Sequence, residues 1–335
     1  MKPELFSLDF EALSRRLGGT GRARDVKTRL RQGVDPFVDL THRARERLTA
    51  GAERTVLDPV RQLSSPDGTT KLLLRLADGR ALETVLIPSA ERTTLCVSTQ
   101  VGCVRGCVFC RTGTMGLERN LSSAEIVGQL FLAIRLAKQL GVAPPSNVVF
   151  MGMGEPLDNA DAVEAAILEM TDHRSFAIAP RRLTVSTVGP SPKAISKVAN
   201  WPASLAWSLH SANDEVRRRL VPTARFSVAA LRDAFVEALA KKGRGLFVEL
   251  TLIDGVNDHE GAAEEVIELF GPLSPKPRIN LLPMNPSESD LVGSSSSAVS
   301  TFATRLIEAG FFTMVRRARG QSTNSACGQL ATQRE

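Results

Sequence analysis

A chain of 335 residues, 43% of them apolar and with a formal net charge of +6, is long enough for one large α/β domain plus a smaller appendage. No apolar run reaches the length of a membrane span, and Met1-Lys2-Pro3-Glu4 lacks the apolar core of a signal peptide. Five cysteines, odd in number and clustered, argue against a secreted disulfide framework and fit a reducing, cytoplasmic setting, while the positive charge is compatible with a polyanionic partner.

Residues 1–62 read as a small helical module. Leu5, Leu8, Phe10, Leu13 and Leu17 recur at rough helical spacing up to Gly18-Gly19. Arg22, Arg24, Lys27, Arg29 and Arg31 crowd a second helix, and Arg43, Arg45 and Arg47 a third. These arginines read equally as solvated faces or as a patch contacting RNA phosphates. Residues 63–93 form an antiparallel extension, in which Lys71–Leu76 and Ala81–Ile87 read as strands and Pro66-Asp67-Gly68 and Asp78-Gly79 as turns. Residues 94–335 then alternate strand-like and helix-like stretches. Strands are expected at 94–98, 146–151, 182–187, 204–209, 246–253, 278–284 and 311–316. Helices are expected near 123–140, where Ser122 and Glu125 form a capping box, and near 160–171, 191–199, 227–241, 260–270 and 297–309. Such alternation implies a parallel sheet and a partial barrel, with functional groups at the carboxyl ends of the strands. Ser287–Ser297 reads as a mobile loop, and Arg316-Arg317-Ala318-Arg319 as a basic terminal piece.

Three of the five cysteines fall within eight positions, as Cys103, Cys107 and Cys110 at C-x3-C-x2-C spacing after an apolar strand. Thiolates that close converge on one metal centre when the loop curls, which Gly102, Gly106 and Gly113 permit. A structural zinc site needs four protein ligands, and no histidine is spaced to complete one. Three local ligands therefore point to an iron–sulfur cluster with one open iron. Other polar residues recur at the same rim. Gly152-Met153-Gly154-Glu155 follows the second strand and could approach an amine or ribose; Ser186, Ser208-Leu209-His210 and Asn285 end later strands. Cys327 lies among Ser, Asn and Gly residues, where a reactive thiol on a flexible loop is expected rather than a core cysteine. Taken locally, Cys96 reads as a core residue, Glu83 as a surface carboxylate, and His210 as either a ligand or a core histidine.

Together these segments resemble the RlmN and Cfr family of radical-SAM adenine RNA methyltransferases, and RlmN more than Cfr. The carriers are Cys96-Val-Ser-Thr-Gln-Val-Gly-Cys103 running into the three-cysteine loop, Gly152-Met-Gly-Glu155-Pro-Leu, Ser208-Leu-His210, Gly255-Val-Asn257-Asp258, Asn285-Pro286 and Ala326-Cys-Gly-Gln-Leu330. The resemblance spans about 65–332 and matches 1–62 only loosely. It implies a partial (β/α)6 radical-SAM barrel with a small N-terminal helical module and a short antiparallel sheet. It further implies that Cys103, Cys107 and Cys110 hold a [4Fe–4S] cluster. Gly154, Glu155, Ser186, Ser208, Leu209, His210 and Asn285 match positions that bind S-adenosylmethionine.

In that chemistry one S-adenosylmethionine methylates Cys327. A second yields a 5′-deoxyadenosyl radical that takes hydrogen from the S-methyl group, and the resulting methylene radical adds to an adenine carbon. Cys96 matches the thiol that resolves the adduct as a disulfide with Cys327. Glu83 matches a position described as proton acceptor, and either it or Cys96 takes the ring proton. The implied substrate is carbon 2 of adenine in 23S-type ribosomal RNA, and in many relatives transfer RNA. The alternatives are carbon 8 or another RNA and, from a different class, a zinc-stabilised RNA-binding protein without catalysis. A flavodoxin or ferredoxin as electron donor, a monomeric state and no membrane partner complete the expectation. Three departures bear on the RNA target: Gln321–Ser325 carries no carboxylate where the family is acidic, Arg111 replaces a small residue, and no long basic tail follows Leu330.

Overall fold

Asp9 caps the first helix, α1 (Phe10–Leu17), by accepting from the Ala12 N–H at 2.6 Å, and Gly18 ends it in the left-handed conformation. Helix α1 buries Phe10, Leu13 and Leu17; α2 (Thr20–Arg31) buries Ala23, Val26 and Leu30, and α3 (His42–Thr49) follows. The computed structural model describes residues 5–38, 40–49, 57–240, 245–286, 290–316 and 318–332. Arg317 and residues 287–289 of the expected mobile loop lie outside the described residues.

Arg22, Arg24 and Arg31 of α2 and Arg43, Arg45 and Arg47 of α3 face outward, but Arg29 is half-buried and Lys27 wholly so. Its ammonium is fully buried, donating to the Leu8 carbonyl at 2.6 Å and pairing with Glu169. Glu169 belongs to a barrel helix, so the helical module is keyed into the main core.

Strand begins earlier than expected. β1 (Asp58–Ser64) starts inside the stretch read as helical; it is an edge strand exposed along nearly its whole length, so no apolar alternation marks it. β2 (Thr70–Arg75), β3 (Ala81–Pro88) and β4 (Thr93–Cys96) follow as an antiparallel run. A two-stranded ribbon of β5 (Gln100–Cys103) and β6 (Gly116–Asn120) encloses the cysteine loop and the short helix α4 (Arg111–Thr114). The capping box closes on Ser122 and Glu125, opening α5 (Ser123–Gln139).

Beyond it the chain alternates: β7 (Pro145–Phe150), α6 (Ala160–Thr171), β8 (Leu183–Thr187), α7 (Pro192–Lys197), β9 (Ser204–Ser208), α8 (Asp214–Leu220), α9 (Val228–Ala240), β10 (Phe247–Leu252), α10 (Glu260–Phe270), β11 (Arg278–Pro283), α11 (Ser296–Glu308) and β12 (Thr313–Val315).

One ten-stranded sheet runs β1-β2-β3-β4-β7-β8-β9-β10-β11-β12. It is antiparallel up to β4 and parallel from β4 to β12. The antiparallel extension is thus the flank of the barrel sheet itself, since β3 pairs Val85 with Cys96 on β4. Helices pack pairwise along the parallel part, α5 with α6, α7 with α9 and α10 with α11. Trp207 on β9 anchors that layer, its ring 4.9 Å from Phe235 and 5.9 Å from Phe270. Among the described residues no helix is long and apolar enough to cross a membrane.

Candidate active site

The β5–β6 ribbon presents the cysteine loop. Gly102 adopts φ +76°, and a Cβ there would lie 1.8 Å from the Gly116 carbonyl oxygen, so only glycine allows the two strands to meet. After Cys103 the loop is tied to its surroundings: the Val108 N–H donates to Leu220 O at 3.1 Å and Thr223 Oγ1 to Arg105 O at 3.1 Å. Arg105 pairs with Asp158 through Nε at 2.7 Å. Cys103, Cys107 and Cys110 border one cavity of about 160 Å³.

Burial pushes the Cys103 thiol up to about 12, and it pushes Cys107 well up, with Cys110 and Cys103 adding like charge. Thiols as hard to ionise as those of Cys103 and Cys107 become ligands only beside a cationic centre. Among the described residues no group of three or more Cys, His, Asp or Glu side chains is drawn together around a single metal ion. A four-iron cluster meets each sulfur at a different iron, so thiols set around a cavity wall fit it, whereas a four-ligand zinc site is not formed.

The rim residues arrive from successive strands, and Gly154, Glu155, Ser186, Ser208, His210 and Asn285 all line the same cavity. Gly154 takes φ +100°, and a Cβ on it would press within 2.6 Å of the Gln100 side chain. The glycine is therefore needed to pack the turn against the segment after β4. Glu155 is buried and accepts from Leu157 N–H (2.9 Å), Thr187 Oγ1 (2.6 Å) and Val188 N–H (3.0 Å). Burial still lifts its carboxyl to about 7 against those donors. His210, at φ +63°, accepts the Thr251 N–H at Nδ1 (3.2 Å), leaving its proton on Nε2; the Phe109 ring lies edge-on at 4.5 Å. Burial, with Arg217 nearby, holds the imidazole at about 3 and hence neutral. Leu209 differs from its neighbours. Its side chain is in the core, its N–H donates to Glu249 O at 3.0 Å and its carbonyl accepts from Arg217.

Cys327 also lines this cavity. It lines a second one of about 190 Å³ as well, together with Cys96, Asn285 and Arg316. Cys327 is exposed and faces both cavities. Its segment is held in place rather than loose. Arg111 N–H donates to Gly328 O (2.8 Å), Thr112 Oγ1 to Leu330 O (2.6 Å), and Asn285 Nδ2 to Cys327 O (3.0 Å). Ser65 bonds Thr323, and Arg319 bonds Asp67 and Pro88. The expected flexible loop is thus an ordered one, because small polar side chains that read as linker chemistry meet partners far away in sequence. Burial pushes the thiols of Cys96 and Cys327 up, and both cysteines are free. Glu83 lines neither cavity; it is buried beside Lys71 at 2.8 Å.

Three charged residues of the site were not foreseen. Glu249 on β10 lines the first cavity and accepts from Ser186 Oγ at 2.9 Å; Ser186 in turn bonds Ser208 at 2.8 Å. Arg316 donates to Glu249 at 3.4 Å from the second cavity. Arg217 is buried with only carbonyl acceptors, and burial draws its guanidinium down to about 10. For Glu249 a signal existed: Glu249 and Thr251 share one face of a strand whose other face is apolar.

Comparison with known proteins agrees with this geometry. The model of the radical SAM superfamily matches residues 97–267. A protein from Sorangium cellulosum named "Probable RNA methyltransferase" is 43% identical over 290 residues, covering 86% of this chain and 72% of that one. A crystal structure of a radical SAM methyltransferase from Sphaerobacter thermophilus superposes with TM-score 0.92 at 37% identity, over 98% of this chain and 99% of the other. The chain belongs to the radical SAM superfamily, whose members use a [4Fe–4S] cluster and S-adenosylmethionine.

Proposed function

We propose that this protein methylates carbon 2 of an adenine in large-subunit ribosomal RNA, with transfer RNA as a further substrate, through an S-methylcysteine at Cys327. One observation carries the reading: Cys327, distant in sequence from the cluster loop, lines the cavity of Cys103, Cys107 and Cys110 and also the cavity of Cys96. The Sorangium relative's name supports RNA as the substrate. When bound, the cluster supplies the electron that opens radical chemistry on S-adenosylmethionine, and an electron carrier of the flavodoxin or ferredoxin kind would feed it.

The chain's own residues do the rest. Cys103, Cys107 and Cys110 would hold the cluster, and Gly154, Glu155, Ser186, Ser208, His210 and Asn285 would surround S-adenosylmethionine, with Leu209 fixing the turn between Ser208 and His210 from the core. Cys327, as its thiolate, would accept the methyl group of S-adenosylmethionine on sulfur, the methyl–sulfonium bond breaking to leave S-adenosylhomocysteine. Once the ring has lost its proton and the extra electron, Cys96, which shares the second cavity with Cys327, would attack the Cys327 sulfur as a thiolate. The S–S bond forms as the S–CH2 bond breaks, and the carbon leaves with the electron pair and takes up a proton as the new methyl group. The outward arginines of α2 and α3 would meet RNA phosphates as an accessory surface.

The test is mass spectrometry of nucleosides from ribosomal and transfer RNA treated with the reconstituted protein or its Cys327→Ala variant. 2-Methyladenosine should appear with the wild type and vanish with the variant while cluster absorbance persists. 8-Methyladenosine would replace the ring assignment, and methylation by the variant would sink the covalent route.

A further inference from the structure

The segment bearing Cys327 meets one buried ion pair at both shoulders. Lys71 on β2 and Glu83 on β3 share a sheet face, since Glu83 stands opposite Leu73, two residues from Lys71. Their side chains are 8% and 6% exposed, with Nζ 2.8 Å from Oε1. Each partner has one more bond, and both reach the same segment. Lys71 Nζ donates to the Asn324 carbonyl at 3.0 Å, and Glu83 Oε2 accepts the Ala331 N–H at 3.0 Å. Asn324 and Ala331 flank Cys327 on either side.

A buried ion pair is a poor stabiliser in its own right, because desolvation offsets its attraction and apolar residues of similar volume do as well. Breaking one half is costly, however, so whatever the pair holds is held firmly. Burial lifts the Glu83 carboxyl and Lys71 opposes the lift, so the Glu83 charge depends on Lys71. Glu83 borders neither cavity, and its two oxygens are committed to Lys71 and Ala331.

We propose that Lys71 and Glu83 form a two-point clasp that sets the Cys327 thiol between the two cavities, and that Glu83 is a positioning residue rather than the acceptor of the ring proton. The functional half of this inference rests on the S-methylcysteine reading; the structural half does not.

Hydrogen exchange on the full-length reconstituted protein tests the clasp directly. Lys71→Met should speed exchange in peptides covering 324–332 by about ten- to a hundredfold, the range expected for losing a charge-assisted hydrogen bond. Lys71→Arg, which keeps the charge and its donors, should restore protection. Intact-protein mass spectrometry after incubation with S-adenosylmethionine and reductant should show methyl loading of Cys327 at least roughly tenfold slower in Lys71→Met than in Lys71→Arg, at equal cluster absorbance, the kinetic counterpart of one lost charged bond. Glu83→Gln separates the two roles. A proton acceptor's loss would leave RNA trapped on Cys327 as a covalent adduct, whereas loss of a clasp slows methyl loading without trapping RNA. Wild-type protection in Lys71→Met, or an RNA adduct in Glu83→Gln, overturns the inference. A wild-type protein never methylated on Cys327 would instead fail the S-methylcysteine reading, and the exchange contrast alone would then decide the clasp.

Discussion

Lys27→Met should be the most damaging single substitution in the helical module. The lysine is fully buried, and its ammonium donates to the Leu8 carbonyl and pairs with Glu169 Oε1 at 2.5 Å. Methionine fills much the same space but leaves the Glu169 carboxylate, 8% exposed, with Ser175 Oγ as its remaining donor. Leaving a buried charge without its partner costs about 3–5 kcal/mol. At roughly 2 °C per kcal/mol for a large domain, that is a Tm lower by ~6–10 °C. The loss should also depend on pH. Burial already raises the Glu169 carboxyl against Lys27, and without the lysine it rises further. A carboxyl whose folded pKa exceeds its unfolded one destabilises increasingly as pH rises from about 4 toward the folded value, by about 1.4 kcal/mol per unit. Thermal and urea unfolding at pH 5 and pH 8 should therefore show the larger deficit at pH 8. The double variant Lys27→Met/Glu169→Leu should recover most of it, because the orphaned charge is gone. A deficit under ~1 kcal/mol at pH 8, or one of equal size at both pH values, would refute the reasoning, since both figures follow from a buried, unpaired carboxylate.

Glu155 has its carboxyl near 7, so on the proposed reading, in which its carboxylate accepts from the amino group of S-adenosylmethionine, binding should tighten by about threefold to fivefold from pH 6 to pH 8. Calorimetric titration of Glu155→Gln should show weaker binding and a flat profile; an unchanged slope would assign the titration elsewhere. Gly102→Ala should abolish iron retention, because its Cβ would occupy the place of the Gly116 carbonyl oxygen. Gly141→Ala, also at positive φ but facing open space, is the matched control. It should keep its iron and lose only about 1 kcal/mol of stability.

Much of the barrel was legible because its signals are local. Ser122 and Glu125 announced the start of α5, and the apolar runs at 146–151, 204–209 and 278–284 marked β7, β9 and β11 to within a residue or so. Elements with little apolar surface of their own escaped. Helix α8 is short and rich in arginine, and its inward residue Arg217 looks like any member of the run Arg217-Arg218-Arg219. Strand β6 is almost wholly exposed. In the site, the spacing of Cys103, Cys107 and Cys110 carried its own chemistry, but Cys96, Glu83 and His210 stood out only through the family resemblance. The bonds from Lys71 to Asn324 and from Glu83 to Ala331 span some 250 residues, and no local pattern encodes a contact of that range.

The sheet does not close on itself: β1 and β12 are both edges. The segment 318–332 crosses from β12 to the β1–β3 flank and bonds Asp67, Ser65, Lys71 and Glu83 there. It is therefore the seam of the barrel as well as the segment that carries Cys327. A seam made of side-chain bonds unzips at lower cost than the strand ladders beside it, by local opening that leaves the core folded. On the S-methylcysteine reading, a bulky polymer would reach the second cavity and Cys327 where this seam opens, so the same fifteen residues would have to serve both access and methyl transfer.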